Sequence, residues 1–140
     1  MNSVLLVRKF IITLIFLSIC KVALADSATL NNGGTTTSQQ NIDGDGEFLT
    51  VSNNSTLNTG ATKPANVTED NVDVTVESGS TITSTTVSIF ADNTSDLTVT
   101  NSGTISATGT TAIDVKGTTD ATIINNSGGK ISSNRNTIRI

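Results

Sequence analysis

The sequence predicts an all-β chain that folds, after a cleaved signal peptide, as a right-handed parallel β-helix (solenoid) of about four rungs. Two observations predict it. Short segments of alternating aliphatic residues recur about every 24 residues, and each repeat keeps three strand signals in the same order, separated by turns. Thr, Ser, Asn and Gly fill most other positions, as is typical of short strands and turns.

The first strand signal of each repeat has two aliphatic residues on either side of a threonine. This period of two places both aliphatic side chains on one face of a strand. The copies are Leu49-Thr50-Val51, Val74-Thr75-Val76, Leu97-Thr98-Val99 and Ala121-Thr122-Ile123. Equivalent strands of a solenoid stack about 4.8 Å apart. We therefore expect two internal columns, Leu49/Val74/Leu97/Ala121 and Val51/Val76/Val99/Ile123.

The second strand signal follows a turn that contains Gly or Asn. These residues adopt a positive φ at little steric cost, which lets the chain bend sharply. The second signal is a single aliphatic residue and predicts the column Leu57/Ile82/Ile105/Ile131. The third is again an alternating triplet, and it predicts the columns Val87/Ile113/Ile138 and Ile89/Val115/Ile140.

The repeat is irregular in three places. Eight steps separate Ile123 from Ile131, where earlier copies have six, so Ile124 is an alternative to Ile123 in its column. Residues 61–71, which include Pro64, lack a good third strand and are expected to form an outward loop. Residues 26–46 show no clear copy, which predicts an N-terminal cap or a flexible lead-in before the repeats of residues 47–140, whose series is truncated.

Two other structures remain open at this stage. Strands at this spacing also suit an antiparallel sandwich, but a sandwich requires no 24-residue self-similarity. The low aromatic content is compatible with a disordered linker, yet such a linker has no reason to keep aliphatic positions in register. The repeat therefore favours the solenoid.

Residues 1–25 have the features of a secretory signal peptide. Arg8 and Lys9 precede an apolar run over residues 10–20, and an Ala-x-Ala-like site ends at Ala25. The apolar run is far shorter than the roughly 20 residues that cross a bilayer. A lipoprotein signal is disfavoured because the bulky Ile19 precedes Cys20, the only cysteine of the chain.

Composition narrows the classes of function. Beyond residue 25 there are five cations against twelve acids, so the surface repels nucleic acid. The sequence has no His, and its one Cys lies in the leader, which excludes imidazole triads, thiol nucleophiles and most zinc sites. We therefore expect no enzyme, with no catalytic, cofactor-binding or metal-binding residues and no cofactor.

Two groups of acidic residues are the remaining candidates for chemistry. Asp73, Asp96 and Asp120 each come just before a repeat copy, which resembles a ladder of acids, but a turn residue that accepts backbone hydrogen bonds explains them more simply. The run from Asp43 to Glu47 alternates acids with glycines, but it lacks the full spacing of a calcium loop. An Asp-Gly turn is the preferred interpretation.

Part of the repeat resembles that of a known family. The string Val99-Thr100-Asn101-Ser102-Gly103-Thr104-Ile105, followed by Thr111-Ala112-Ile113-Asp114-Val115, is similar to the degenerate repeat of bacterial autotransporter passengers, and residues 124–131 look like a second copy. The resemblance covers roughly residues 48–140. It implies a right-handed β-helix displayed outside a Gram-negative cell, with a C-terminal outer-membrane barrel that anchors or releases it.

The sequence departs from the family because it contains no barrel strands and stops at Ile140 inside a predicted strand. We therefore expect a truncated frame or a fragment of a longer passenger. The expected function is that of a secreted or surface-displayed structural or adhesive passenger segment. The alternative is a fragment of a secreted β-helix that binds or cleaves polysaccharide.

Export and location follow from the leader and from the family resemblance. Passage across the inner membrane would involve the Sec translocon and signal peptidase as partners. A cell-surface or extracellular location is expected for part of a full autotransporter, and a periplasmic location otherwise. Further expected partners are a second copy, through the exposed end of the helix, and a host or neighbouring-cell surface.

Overall fold

The computed structural model describes residues 27–140, which form fifteen short strands and no helix. The chain passes through three strands in each of five circuits, here called rungs 1 to 5. Rung 1 contains β1 (Ala28–Leu30), β2 (Thr35–Thr36) and β3 (Gln40–Ile42). Rung 2 contains β4 (Phe48–Val51), β5 (Thr56–Asn58) and β6 (Ala65–Val67). Rung 3 contains β7 (Asp73–Val76), β8 (Thr81–Ser84) and β9 (Val87–Asp92). Rung 4 contains β10 (Thr98–Asn101), β11 (Thr104–Ala107) and β12 (Thr111–Lys116). Rung 5 contains β13 (Thr122–Asn125), β14 (Lys130–Ser133) and β15 (Asn136–Arg139).

Equivalent strands of successive rungs form three parallel sheets. Sheet A has the order β1-β4-β7-β10-β13, sheet B the order β2-β5-β8-β11-β14, and sheet C the order β3-β6-β9-β12-β15. All pairings between these strands are parallel. The predicted all-β parallel solenoid is therefore confirmed, with five rungs where about four were expected.

The core is a continuous stack of aliphatic side chains inside the three sheets. The predicted column Leu57/Ile82/Ile105/Ile131 is confirmed by the strand register. Leu57, Ile82 and Ile105 are fully buried, because each has a rung on both sides. This stacking buries apolar surface between neighbouring rungs, which is where the stability of a solenoid arises.

The predicted columns of sheet A are wrong only between rungs 3 and 4, and the predicted pairing of Val99 with Ile123 in rungs 4 and 5 is confirmed. Leu49 pairs with Val74 and Val51 with Val76, as expected, but Val99 pairs with Val74 and not with Val76. The turn from sheet A to sheet B has two residues in rung 4 and four in rung 3, so the whole of β10 is displaced by two positions.

Asn101 occupies the inward position beside Val76 as a result of this displacement. It is fully buried, and its Nδ2 donates to Asn125 Oδ1 at 2.8 Å. Its own Oδ1 accepts from the backbone N–H of Gly103 at 3.2 Å. A pattern of aliphatic residues alone cannot detect this position, because a hydrogen-bonded amide replaces an apolar side chain.

Ile124 does not replace Ile123 in the column. Ile123 pairs with Val99, whereas Ile124 pairs with Thr100 and is 43% exposed. The two extra residues before Ile131 give rung 5 a turn of four residues between β13 and β14, whereas rung 4 has two residues between β10 and β11. The irregular spacing therefore reflects turn length and not a change of register within β13.

The predicted columns of sheet C are displaced by two residues between rungs 3 and 4, whereas the predicted pairing of Ile113 with Ile138 is confirmed. Ile113 pairs with Ile89 and with Ile138, and Val115 pairs with Ala91, whereas Val87 pairs with Thr111. The small Ala91 takes the place where a larger aliphatic residue was expected, and it is fully buried. Ala91 therefore belongs to the core, although alternation of large aliphatic residues does not reveal it.

The expected outward loop over residues 61–71 is wrong for its central part. Ala65–Val67 is strand β6, which pairs with β3 and β9, and both end residues are fully buried. Pro64 comes immediately before the strand, a position where a missing N–H does not interrupt the sheet. The loop is confined to residues 59–64 before β6 and to the turn over residues 68–72 after it.

Residues 27–46, expected to be a cap or a flexible lead-in, carry β1, β2 and β3 and thus form rung 1. Each of these strands pairs in parallel with its equivalent in rung 2. The repeat pattern does not reveal rung 1, because Ala28 and Thr36 occupy positions where rung 2 has Leu49 and Leu57, and Gln40 pairs with the small Ala65.

The turn that leads into sheet A has a left-handed residue in four rungs. Gly46, Asn71, Asp96 and Asp120 each lie two residues before a sheet A strand, and their φ values are 76°, 55°, 53° and 54°. Gly, Asn and Asp are the residues that tolerate this region best. The shared geometry fixes the direction in which the chain enters each rung.

The predicted signal peptide of residues 1–25, with Cys20, lies outside the described residues. Within residues 27–140, no helix has the length and apolar character that crossing a membrane demands.

Candidate functional site

The structure does not form a ladder from Asp73, Asp96 and Asp120. Asp96 and Asp120 occupy equivalent left-handed turn positions, but Asp73 is the first residue of β7 and pairs with Thr98. Asn71, an amide, occupies the equivalent position in rung 3. The three carboxylates therefore do not form one row along the rod.

The carboxylates of residues 43–47 take part in turn contacts. Glu47 is buried, and its Oε2 accepts from the backbone N–H of Asp43 at 3.0 Å. Asp45 Oδ1 accepts from Asn71 Nδ2 of the next rung at 2.7 Å. Within residues 27–140, no three potential ligands among His, Cys, Asp and Glu come together as a metal site.

One buried carboxylate lies on the outer face of sheet C. Asp114 is fully buried and forms a salt bridge with Arg139 of rung 5. Arg139 Nε donates to Asp114 Oδ1 at 2.9 Å, and Arg139 Nη2 donates to Asp114 Oδ2. The hydrogen bond from Arg139 and the attraction of the carboxylate raise the pKa of the guanidinium above its ordinary value. This bidentate pair connects rungs 4 and 5.

A groove opens on the outer surface where sheet B turns into sheet C. The turn has six residues in rung 2 (59–64) but only three in rung 1 (37–39) and two in rung 3 (85–86). The long turn therefore projects beyond its neighbours and leaves a recess of about 460 Å³ beside it. Its lining includes Gln39, Ala61, Lys63, Asn66, Thr86 and Val87, and it includes no acid.

Hydrogen bonds hold the long turn in shape. Thr59 Oγ1 donates to the carbonyl of Thr62 at 2.8 Å, and Gly60 adopts a φ of 65°, which lets the turn close. The next rung fixes its position, because Thr86 Oγ1 donates to the carbonyl of Ala61 at 3.1 Å. The wall of the groove is thus built from ordered backbone.

Lys63 and Phe90 form a pair at one side of this groove. Lys63 Nζ lies 3.0 Å from the centre of the Phe90 ring, a cation–π contact. Phe90 belongs to the outward row Asn41/Asn66/Phe90/Asp114/Arg139 of sheet C. No salt bridge of Lys63 is present among residues 27–140, where the one ion pair joins Arg139 and Asp114. The ammonium group is therefore positioned by an aromatic ring and not by a carboxylate.

The outer faces of sheets A and B are lined with hydroxyl groups. Sheet A carries the row Thr29/Thr50/Thr75/Thr100, and sheet B carries Thr35/Thr56/Thr81/Thr104. A second row on sheet B includes a hydrogen bond from Ser106 Oγ to Thr83 Oγ1 at 2.9 Å. These faces are flat and nearly uncharged, which suits an extended contact surface more than a reaction centre.

The groove was not predicted from the sequence. Lys63 is the only cation of residues 26–115, and Phe90 is one of two aromatic residues beyond residue 25. Because cations and aromatic residues are so rare in this part of the sequence, Lys63 and Phe90 could have been singled out as candidate functional residues. However, Lys63 and Phe90 lie 27 positions apart in the sequence, and only the register of sheet C brings the long turn of rung 2 beside β9.

The side of rung 5 that faces away from rung 4 is uncovered in the described structure. Ile138 is 41% exposed and Ile140 is 88% exposed, whereas Val99, Ile105 and Ile113 of rung 4 are fully buried. Ile123 and Ile131 are only partly buried. Apolar side chains and strand edges are thus exposed together at this end.

The comparisons with known proteins add no family to this description. The chain matches no protein-family model, no curated protein and no solved structure. The fold and the surface geometry define it as a parallel β-solenoid.

Proposed function

We propose that this chain is a secreted or surface-displayed structural or adhesive segment of an autotransporter-like passenger. The observation that carries the proposal is the regular five-rung parallel solenoid with two flat, hydroxyl-rich outer faces. Such a rod holds its surface at a fixed distance from an attachment point and offers long, uniform contact faces. A location at or beyond the outer membrane, and contact with a host or neighbouring cell, are parts of this proposal.

The same proposal assigns no catalytic role to the chain. It is supported by the placement of several acidic residues. Asp96 and Asp120 are turn residues, Glu47 accepts a hydrogen bond within its own turn, and Asp45 and Asp70 accept hydrogen bonds from the next rung. The negative charge of the chain beyond residue 25 also makes nucleic acid an unfavourable partner.

Export is tested by processing at the predicted cleavage site. When the full chain is produced in a Gram-negative host, we expect the loss of residues 1–25 and a mature N-terminus at Asp26, measured by intact mass. Ala25→Gln should block processing because the site requires a small residue there, whereas Leu24→Gln should be processed, because the central position of the Ala-x-Ala site is not restricted. Recovery of the unprocessed wild-type chain from the cytoplasm would contradict export.

Surface display is tested separately in the cells that produce the protein. Antibodies against the solenoid should label intact cells or the culture medium. Labelling that appears only after the outer membrane is permeabilised would place the protein in the periplasm and would contradict display.

We also propose that a second copy stacks on the uncovered side of rung 5. Within residues 27–140, rung 1 and rung 5 contain the opposite end strands of the same three parallel sheets, so the two ends are complementary in strand direction and in strand arrangement. Unpaired edge strands and exposed Ile138 and Ile140 favour such a contact. A head-to-tail contact of this kind does not close and therefore produces short filaments.

Sedimentation of the full chain over a range of concentrations tests the stacking. We expect association that Ile140→Lys weakens by about tenfold or more, because a charged side chain replaces an apolar one at the contact. Ile124→Lys is the matched control, since Ile124 lies in the same rung but on the outer face of sheet A. A monomer at all concentrations, or equal effects of the two variants, would contradict end-to-end stacking.

A second candidate function is the binding or cleavage of polysaccharide by a secreted β-helix. The specific observation that favours binding is the open groove beside Lys63 and Phe90, because its volume is within the range of small-molecule sites. Cleavage receives no comparable support, since no acid lines that groove.

A further inference from the structure

We propose that the groove between the long turn of rung 2 and β9 binds a saccharide that contains uronic acid. The inference rests on the adhesive function proposed above and names a ligand class for it. The groove volume of about 460 Å³ lies within the range of small-ligand sites, roughly 300–1,000 Å³. It therefore accommodates one or two sugar units of a longer chain.

The charge of the groove selects for a single carboxylate. Lys63 is the only charged residue in the lining, and it has no salt-bridge partner among the residues described. The Phe90 ring holds the ammonium group at 3.0 Å, so its position is fixed before a ligand arrives. An ammonium group carries three donors, and the ring occupies one side of it. A ligand carboxylate can take the other side.

The rest of the lining matches the surface of a sugar. Gln39 and Asn66 supply amide donors and acceptors for hydroxyl groups, and the hydrogen bond from Asn66 to Asn41 is long, at 3.4 Å. Val87 and Ala61 supply small apolar surfaces for the C–H groups of a pyranose ring. Thr86 Oγ1 already donates to the carbonyl of Ala61 and retains acceptor capacity.

The surrounding charges exclude more highly charged polymers. The chain beyond residue 25 has five cations against twelve acids, and Lys63 is the only cation between residue 25 and residue 116. Nucleic acids and heavily sulfated saccharides need several cations along one surface. A saccharide with one uronate among neutral sugars has a single negative charge, which one lysine can neutralise within an otherwise acidic surface.

Calorimetric titration of the full chain with a short oligogalactan that carries one galacturonate unit, called the uronate below, tests the inference, with a neutral oligogalactan of equal length as the comparison ligand. We expect the wild type to bind the uronate at least about tenfold more tightly than the neutral saccharide, because a charge-assisted hydrogen bond is stronger than a neutral one. Lys63→Gln should lose about that factor for the uronate and change little for the neutral ligand. Lys63→Arg should retain most of the affinity.

Lys130→Gln is the matched control because it removes the same charge from sheet B of rung 5, away from the groove. Its affinity for the uronate should stay within about twofold of the wild type. The inference is overturned if the wild type binds neither saccharide, if it binds both equally, or if the two Gln variants lose equal affinity. Normal surface labelling together with no uronate binding would overturn this inference alone and leave the proposed function standing.

Discussion

Replacement of Ile82 by alanine is expected to lower the free energy of unfolding by about 3–4 kcal/mol. Ile82 is fully buried in the middle of the core and stacks between Leu57 and Ile105. The change removes three methyl or methylene carbons from a closed column, and the parallel sheets on either side restrict collapse of the cavity. Thermal or urea denaturation measures the effect.

This decrease is a large fraction of the total free energy of unfolding, because domains of this size typically have about 5–15 kcal/mol of stability. We therefore expect Ile82→Ala to melt far below the wild type, and Ile82→Val, which removes one carbon, to lose only about 1 kcal/mol. Thr81→Ala is the matched control. Thr81 precedes Ile82 but lies on the outer face, so its substitution should change stability by no more than about 0.5 kcal/mol. Equal destabilisation at positions 81 and 82 would mean that the assigned facing of β8 is wrong.

Gly103→Ala is expected to cost about 3 kcal/mol, at the upper end of the usual cost of overpacking. A Cβ at residue 103 would lie 2.3 Å from the carbonyl oxygen of Ser80 and 2.4 Å from that of Glu77. Both obstacles are backbone atoms of rung 3, which cannot rotate away as a flexible side chain can. The shortened turn of rung 4 must therefore move away from rung 3, which strains the hydrogen bonds around Asn101.

Gly128→Ala provides the contrast for this prediction. Gly128 lies in the equivalent turn of rung 5 with a φ of 88°, and a methyl group added to its Cα would meet no atom within 4 Å. Its substitution should cost only the strain of a left-handed alanine, about 1 kcal/mol. Chemical denaturation of the two variants compares the costs. A smaller loss for Gly103→Ala than for Gly128→Ala would indicate that the short turn of rung 4 is not packed against rung 3.

The architecture could be predicted from the sequence because the aliphatic repeat reports directly on rung spacing. Leu57, Ile82, Ile105 and Ile131 each follow a turn and lie in one column, as expected. The exact stacking in sheets A and C could not be predicted in the same way. There, Asn101 and Ala91 occupy inward positions, and neither an amide nor a methyl group stands out in a pattern of large apolar residues.

The groove could not be predicted from the sequence, for a different physical reason. Lys63 and Phe90 come together only because strands β6 and β9 are adjacent in sheet C and because the turn before β6 is long. A repeat pattern gives the order of strands, but it does not show which side chain of a long turn reaches across to the next rung. The spacing of Asp73, Asp96 and Asp120 suggested a row of carboxylates. The structure does not form this row, because only Asp96 and Asp120 occupy equivalent left-handed turn positions.

The long turn of rung 2 has a wider consequence for how such a rod can diversify. Its six residues replace two or three in the neighbouring rungs, yet β5 and β6 keep their parallel pairing with rungs 1 and 3. Extra length at a corner is thus absorbed locally and does not propagate along the shaft. At the corner between sheets B and C, added residues can therefore create a new recess while the stacked interior stays unchanged, in contrast to the shortened turn of rung 4, which displaces β10.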